Sequence, residues 1–145
     1  MAEPIQLTAL VVDDDDTVME HLTKLLRARG FAVAQEFDGM AALQRCRAEK
    51  FTVVLCDIRM PRLSGVSFLR NLRQSEMNQT PTITHATEDA TSKQTVVMMS
   101  SLGDNATKRE LLAAGTSLFL LKPVSGQALD LVLLNLNLSI GGKPA

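Results

Sequence analysis

The sequence predicts an α/β fold, a five-stranded parallel sheet covered by helices on both faces. Two observations predict it. Short apolar runs alternate five times with stretches whose apolar residues recur at helical spacing. Four of those short runs, the first, third, fourth and fifth, are apolar on both faces, the pattern of strands buried on both sides. The chain has 145 residues and 46% hydrophobic content, enough for one compact domain with a real core.

Leu7 to Val12 (LTALVV) is the first strand. Thr17 to Arg29 is the first helix, with Val18, Leu22, Leu25 and Leu26 at helical spacing and Gly30 closing it. Phe31 to Ala34 is the second strand. Asp38-Gly39 is a turn and cap, and Met40 to Glu49 a helix with Met40, Leu43 and Cys46 facing inward. Phe51 to Cys56 is the third strand. Val66, Phe68, Leu69 and Leu72 mark a helix ending near Glu76. Met77 to Thr95 is polar and threonine-rich, an insertion between the third helix and the fourth strand, read as a solvated loop or short hairpin. Val96 to Met99 is the fourth strand, Ala106 to Ala114 a helix capped by Gly115, and Leu118 to Leu121 the fifth strand. Ser125 caps a last helix reaching about Ser139, and a Gly-rich tail follows.

Charged residues make up 21% and the net charge is -1, so no basic excess points to nucleic acid or an anionic membrane. No apolar run has transmembrane length, and no basic, apolar leader opens the chain. Cys46 and Cys56 lack metal-like spacing and read as reduced, packing thiols of a cytoplasmic protein. Cys56 should face away from Asp57 across the sheet. His21 and His85 have no flanking Cys or His partner and read as solvated or half-buried.

In open sheets of this kind, ligands sit beyond the carboxyl ends of the strands. The first strand delivers Asp13 and Asp14 there, with Asp15 and Asp16 just beyond. The third delivers Asp57, the fourth Ser100 and Ser101, the fifth Lys122. Asp15 or Asp16, beside Thr17, serves as a helix cap. Three further acids in one crevice repel unless a cation joins them, and oxygen-only donors favour a hard ion, best Mg²⁺. With Lys122 and Ser100, that crevice would suit a phosphoryl group.

The stretches LVVDDDD, VVLCDIRMPRLSG, MMSS and AAGTSLFLLKP resemble the receiver domain of two-component response regulators, over about residues 7–139. The resemblance implies a single flavodoxin-like domain with strand order 2-1-3-4-5. It implies Asp57 as phosphoacceptor, and Mg²⁺ held by Asp13, Asp14, Asp57 and the carbonyl of Arg59. It implies Ser100 and Lys122 on the phosphoryl oxygens and Phe119 as a switch aromatic. Arg59 and Leu102 would flank the water's approach, and Lys122-Pro123 is often cis in the family. Partners implied are a sensor histidine kinase or phosphotransfer protein and a downstream effector or output domain; catalysis would be limited to the chain's own aspartyl phosphate.

Pro81 to Thr87 also resembles a receiver's fourth strand, but Ser100 holds the usual separation from Lys122 and Thr87 does not. Asp13 to Thr17 fits D-x-D-x-T, similar to haloacid-dehalogenase-type phosphatases, with Asp13 as nucleophile and Asp15 as acid. That reading leaves Asp57, Met60 and Pro61 unexplained. A receiver fold used as a phosphorylation-independent interaction module is a third reading, opposed by the intact set of site positions. On the last helix, Leu129, Val132, Leu133 and Leu136 can face the sheet, leaving Leu131, Leu134 and Leu138 as an outer stripe, a surface for self-association or a partner.

Overall fold

The computed structural model describes residues 6–60, 62–78, 94–101, 105–116 and 118–136. Pro61, Thr87, Leu102, Leu138, the inner part of the expected insertion and the Gly-rich tail lie outside the described residues. Five strands alternate with five helices: β1 (Thr8–Val12), α1 (Asp16–Ala28), β2 (Ala32–Glu36), α2 (Gly39–Ala48), β3 (Val53–Asp57), α3 (Gly65–Asn78), β4 (Val96–Ser100), α4 (Asn105–Ala114), β5 (Leu118–Leu121) and α5 (Gly126–Asn135). All pairings are parallel, in the order β2-β1-β3-β4-β5.

Period-two alternation splits the strand residues between two apolar layers. Val11, Leu55, Val97 and Met99 join Leu22 and Leu26 of α1 and Leu129 and Leu133 of α5. Leu10, Val54, Cys56 and Met98 join Leu43 of α2, Phe68 and Leu72 of α3 and Leu111 of α4. Each fully buried Leu contributes about 1.5–3 kcal/mol. β3 and β4, in the middle, are buried throughout, as their unbroken apolar runs require.

The helices start where polar side chains accept the first free N–H groups. Asp15 accepts from Thr17 and Val18, Asp38 from Ala41, and Ser125 from Ala128. Gly30, at φ 92°, and Gly115, at φ 98°, reverse the chain after α1 and α4 in the left-handed region open to glycine.

Several sequence expectations need correction, among them the third strand, which runs from Val53 to Asp57 and not from Phe51 to Cys56. Met40 was expected inside and is 47% exposed. A Cβ at Gly39 would lie 2.5 Å from the Leu63 carbonyl oxygen, so α2 presses its glycine, not Met40, against the neighbouring loop. Gly39, Ala42, Leu43 and Cys46 are the inward residues. β2 begins one residue later and runs two further than its apolar run, because Gln35 and Glu36 pair through the backbone with Val11 and Val12. α3 continues past Glu76 to Asn78.

Candidate functional site

The sheet register assembles the site. Val12 pairs with Cys56, so Asp13 and Asp57, the next residue of each strand, emerge side by side where β1 and β3 meet. That is the switch point, with β2 on one side and β3 to β5 on the other. Ser100 pairs with Leu121, which places Lys122 one step beyond, and the Lys122 N–H donates to the Ser100 carbonyl at 2.7 Å.

Ligand oxygens of Asp13, Asp14 and Asp57 all lie within 4.8 Å of one another. Asp13 is fully buried and both its oxygens are engaged. Its Oδ1 accepts from the Asp15 N–H at 2.9 Å, and its Oδ2 accepts from Lys122 Nζ at 3.0 Å. Lys122 Nζ also stands 3.4 Å from Asp57 Oδ2. Asp14 is exposed and edges a cleft of about 750 Å³, lined also by Arg59, Ser64, Ser67, Thr107 and Glu110. Ser100 is buried, and among the described residues its Oγ has no hydrogen-bond partner.

Burial, then the charge of Asp13, pushes the Asp57 carboxyl above the usual range; Lys122 and the Arg59 backbone N–H pull the other way. Burial works against the Lys122 charge, but the hydrogen bond to Asp13 and the two acids outweigh it and raise its pKa. Too much negative charge for one ammonium is the net condition of this cluster, and one more cation would relieve it.

The loop after β3 is held from two sides. The Gly65 N–H donates to the Ile58 carbonyl at 2.8 Å. Arg62, at φ 69°, pairs with Asp38 at the start of α2. Phe119 is half-buried on the α4 side of the sheet, with Lys108 Nζ 5.7 Å from its ring centroid. The Lys122-Pro123 bond is cis.

Asp13, Asp14, Asp57 and Lys122 therefore converge, and Ser100 ends the strand between β3 and β5. The phosphatase alternative needs Asp15 as its acid, and Asp15 Oδ1 is used instead on the N–H groups of Thr17 and Val18 as the cap of α1. Cys56 lies on the opposite face from Asp57, as expected, and both thiols are free and buried. Burial pushes Cys46 up to about 12 and Cys56 well above the ordinary thiol value. His21 reaches the Val124 carbonyl from α1, a contact between residues so far apart in the chain that no local signal announces it.

Residues 9–134 match the family described as the response regulator receiver domain. Transcriptional regulatory protein ZraR of Klebsiella oxytoca is 33% identical over 128 residues, which are 88% of this chain and 26% of the relative. The chain spans about a quarter to a half of the length of the curated relatives it matches. A crystal structure assigned to a response regulator from Chloroflexus aurantiacus J-10-fl is similar over 91% of this chain and 98% of its own, at 30% identity and TM-score 0.74. The receiver domain of sensor histidine kinase PA1611 from Pseudomonas aeruginosa PAO1, described with a magnesium ion in its active-site cleft, shares the fold over 90% of this chain and 97% of its own, at 22% identity and TM-score 0.71. With its sheet order, its strand-end acids and its lysine all accounted for in these terms, the chain belongs to the response regulator receiver domain family.

Proposed function

We propose that Asp57 is the acceptor of a phosphoryl group passed from a phosphohistidine of a sensor kinase or phosphotransfer protein. The observation that carries this reading is the cluster of three carboxylates at the switch point, two of them paired with one ammonium. An Asp57 oxygen attacks phosphorus, the phosphorus–nitrogen bond breaks, and the leaving imidazole takes up a proton. Asp57 sits on the last residue of a rigid central strand, so the attacking atom is held in position.

Asp13, Asp14, Asp57 and the Arg59 carbonyl fit Mg²⁺, because they offer oxygen donors alone and the carboxylates are already within reach of one ion. When bound, the ion neutralises charge on the transferring phosphoryl group. Lys122 supplies the second cation, moving from its acid partners to a phosphoryl oxygen. The Ser100 hydroxyl, without a partner among the described residues, is a donor for another such oxygen.

Drawing Ser100 toward the phosphoryl group opens room for Phe119, two residues before the end of β5, to turn inward. That rotation changes the face of α4, β5 and α5, and phosphate shifts the balance between the two packings. The reading covers residues 7–139 as one receiver unit, cytoplasmic, catalytic only toward its own aspartyl phosphate. Output passes through an effector protein or an output domain. Leu131 and Leu134 are 61% and 66% exposed on the outer face of α5, which supports self-association through that helix.

Incubation with acetyl phosphate and Mg²⁺, read by intact mass, tests the chemistry. One acid-labile phosphoryl adduct is expected, absent in Asp57→Asn and absent in chelator. An adduct that persists in Asp57→Asn removes the assignment. Sedimentation of wild type and Leu134→Glu, with and without phosphorylation, tests the α5 surface; a wild type that stays monomeric well above micromolar concentration rejects it.

A further inference from the structure

Helix α1 grips the segment after Lys122 at two points. His21 Nε2 donates to the Val124 carbonyl at 2.6 Å, which fixes the proton on that ring nitrogen. Further along the same helix, Arg29 closes on the start of α5. Its Nε meets Asp130 Oδ1 at 2.5 Å and its Nη2 meets Oδ2 at 3.2 Å and the Gly126 carbonyl at 3.4 Å. Gly126 admits the guanidinium, since a Cβ there would lie 3.0 Å from Nη2.

α1 is also tied to the acids. Its cap residue, Asp15, donates its N–H to Asp13 Oδ1. One helix therefore holds both halves of the charge cluster, the acid end of β1 and the turn that follows the lysine. On the upstream side, Lys122 is anchored by its N–H to Ser100. On the downstream side, Pro123 has no N–H to offer. The Val124 carbonyl is where α1 takes hold, and the Val124 side chain is buried in the layer beneath α1 and α5.

We propose that His21 is a positioning residue for Lys122. Lysine is a point charge on a flexible stem, so its aim depends on where the backbone starts it. Released from His21, the turn shifts, and the ammonium spends less time between the acids and the incoming phosphoryl group. His21 itself is exposed, on the surface of α1, so its removal leaves both apolar layers intact.

This inference rests on the reading of Lys122 given above, so two readouts are needed. The first is hydrogen exchange of the Lys122 amide in the metal-free domain, which requires no phosphoryl chemistry. The second is the rate of uptake from acetyl phosphate at saturating Mg²⁺, which keeps protein phosphodonors out of the measurement. His21→Ala should speed Lys122 amide exchange about 5- to 10-fold without changing global unfolding. It should slow uptake about 3- to 10-fold, because small misplacements of a reacting group are costly. His21→Gln, whose amide nitrogen can reach the same carbonyl, should restore both. Unchanged Lys122 exchange in His21→Ala overturns the proposal, and so does a Gln variant as impaired as Ala. If Lys122→Ala takes up phosphoryl at the wild-type rate, the role given to Lys122 falls, and the exchange experiment alone decides whether His21 holds its turn.

Discussion

At the amino end of the sheet, just before β4, buried Gln94 spends its carboxamide on three main-chain groups. Its Oε1 accepts from the Phe51 N–H at 2.9 Å, and its Nε2 donates to the carbonyls of Cys46 and Glu49 at 3.2 and 2.8 Å. At the carboxyl end of the same strand, Ser100 is as deeply buried, yet its hydroxyl has no partner among the described residues. The contrast extends to the neighbours. Beside Gln94, Arg73 and Glu76 pair at 2.9 Å and hold the Gln94 carbonyl and N–H. Thr8 and Thr52 exchange hydrogen bonds between backbone and hydroxyl. Among the described residues, Arg73 Nε is the one buried side-chain nitrogen or oxygen at this end without a partner. On the same side of the sheet as Ser100, at its carboxyl end, three acids crowd together and two of them share one lysine. A satisfied polar network fastens the fold, and an unsatisfied one is a reserve that a ligand can complete. The two ends of one sheet divide these tasks.

Mutations should break this contrast in opposite directions. Gln94→Leu is expected to do the most harm, about 2–4 kcal/mol by urea denaturation, since it strands buried main-chain groups. A loss under about 1 kcal/mol would mean that water replaces the carboxamide easily. Asp57→Asn, in chelator, should stabilise the domain by about 1 kcal/mol, raising Tm by about 2–4 °C. The sign follows from the raised carboxyl pKa: the folded state holds that proton more tightly, so ionisation costs stability at neutral pH and the cost fades as pH falls through the folded value. A lower Tm for the Asn variant would show that the lysine contact outweighs the crowding. Ser100→Ala should leave stability unchanged or raise it by up to about 1 kcal/mol, because it deletes a buried hydroxyl that has no partner among the described residues. Asp38 gives the smallest effect. The Ala41 N–H, set against burial, and then Arg62 hold its carboxyl below the usual range. Its contribution is therefore present above the ordinary aspartate value and lost as pH falls through the folded one. Asp38→Asn keeps the cap and should flatten that acid-side loss, measured by urea denaturation at about pH 7 and about pH 3.

The carboxyl end was legible in the sequence because four of the five strands announce it: an apolar run stops at an acid, a hydroxyl or a lysine, and the parallel topology does the rest. The exposed leucines of α5 were legible too, since helical spacing fixes which residues share a face. The amino end was not. Gln94 read as one more polar residue of an insertion, because its partners come from α2 and the segment before β3, far away in the chain. His21 and Arg29 were opaque for the same reason, each bonding across more than a hundred residues. Met40 misled because periodicity assigns faces but not the rotation of the helix, which close packing of Gly39 decides.

Gly65, where α3 begins, carries a consequence for anyone who would build such a site elsewhere. A Cβ there would stand 2.6 Å from the Asp57 carbonyl oxygen and 2.6 Å from Met98 Cε. The helix can butt against the strand end only because nothing protrudes from it. Copying the acids, the serine and the lysine onto another parallel sheet would therefore transfer the chemistry's parts without its spacing. The scaffold would also have to bring a bare stretch of backbone up against the acceptor's own peptide group, and an engineer who omitted it would find the aspartate present but displaced.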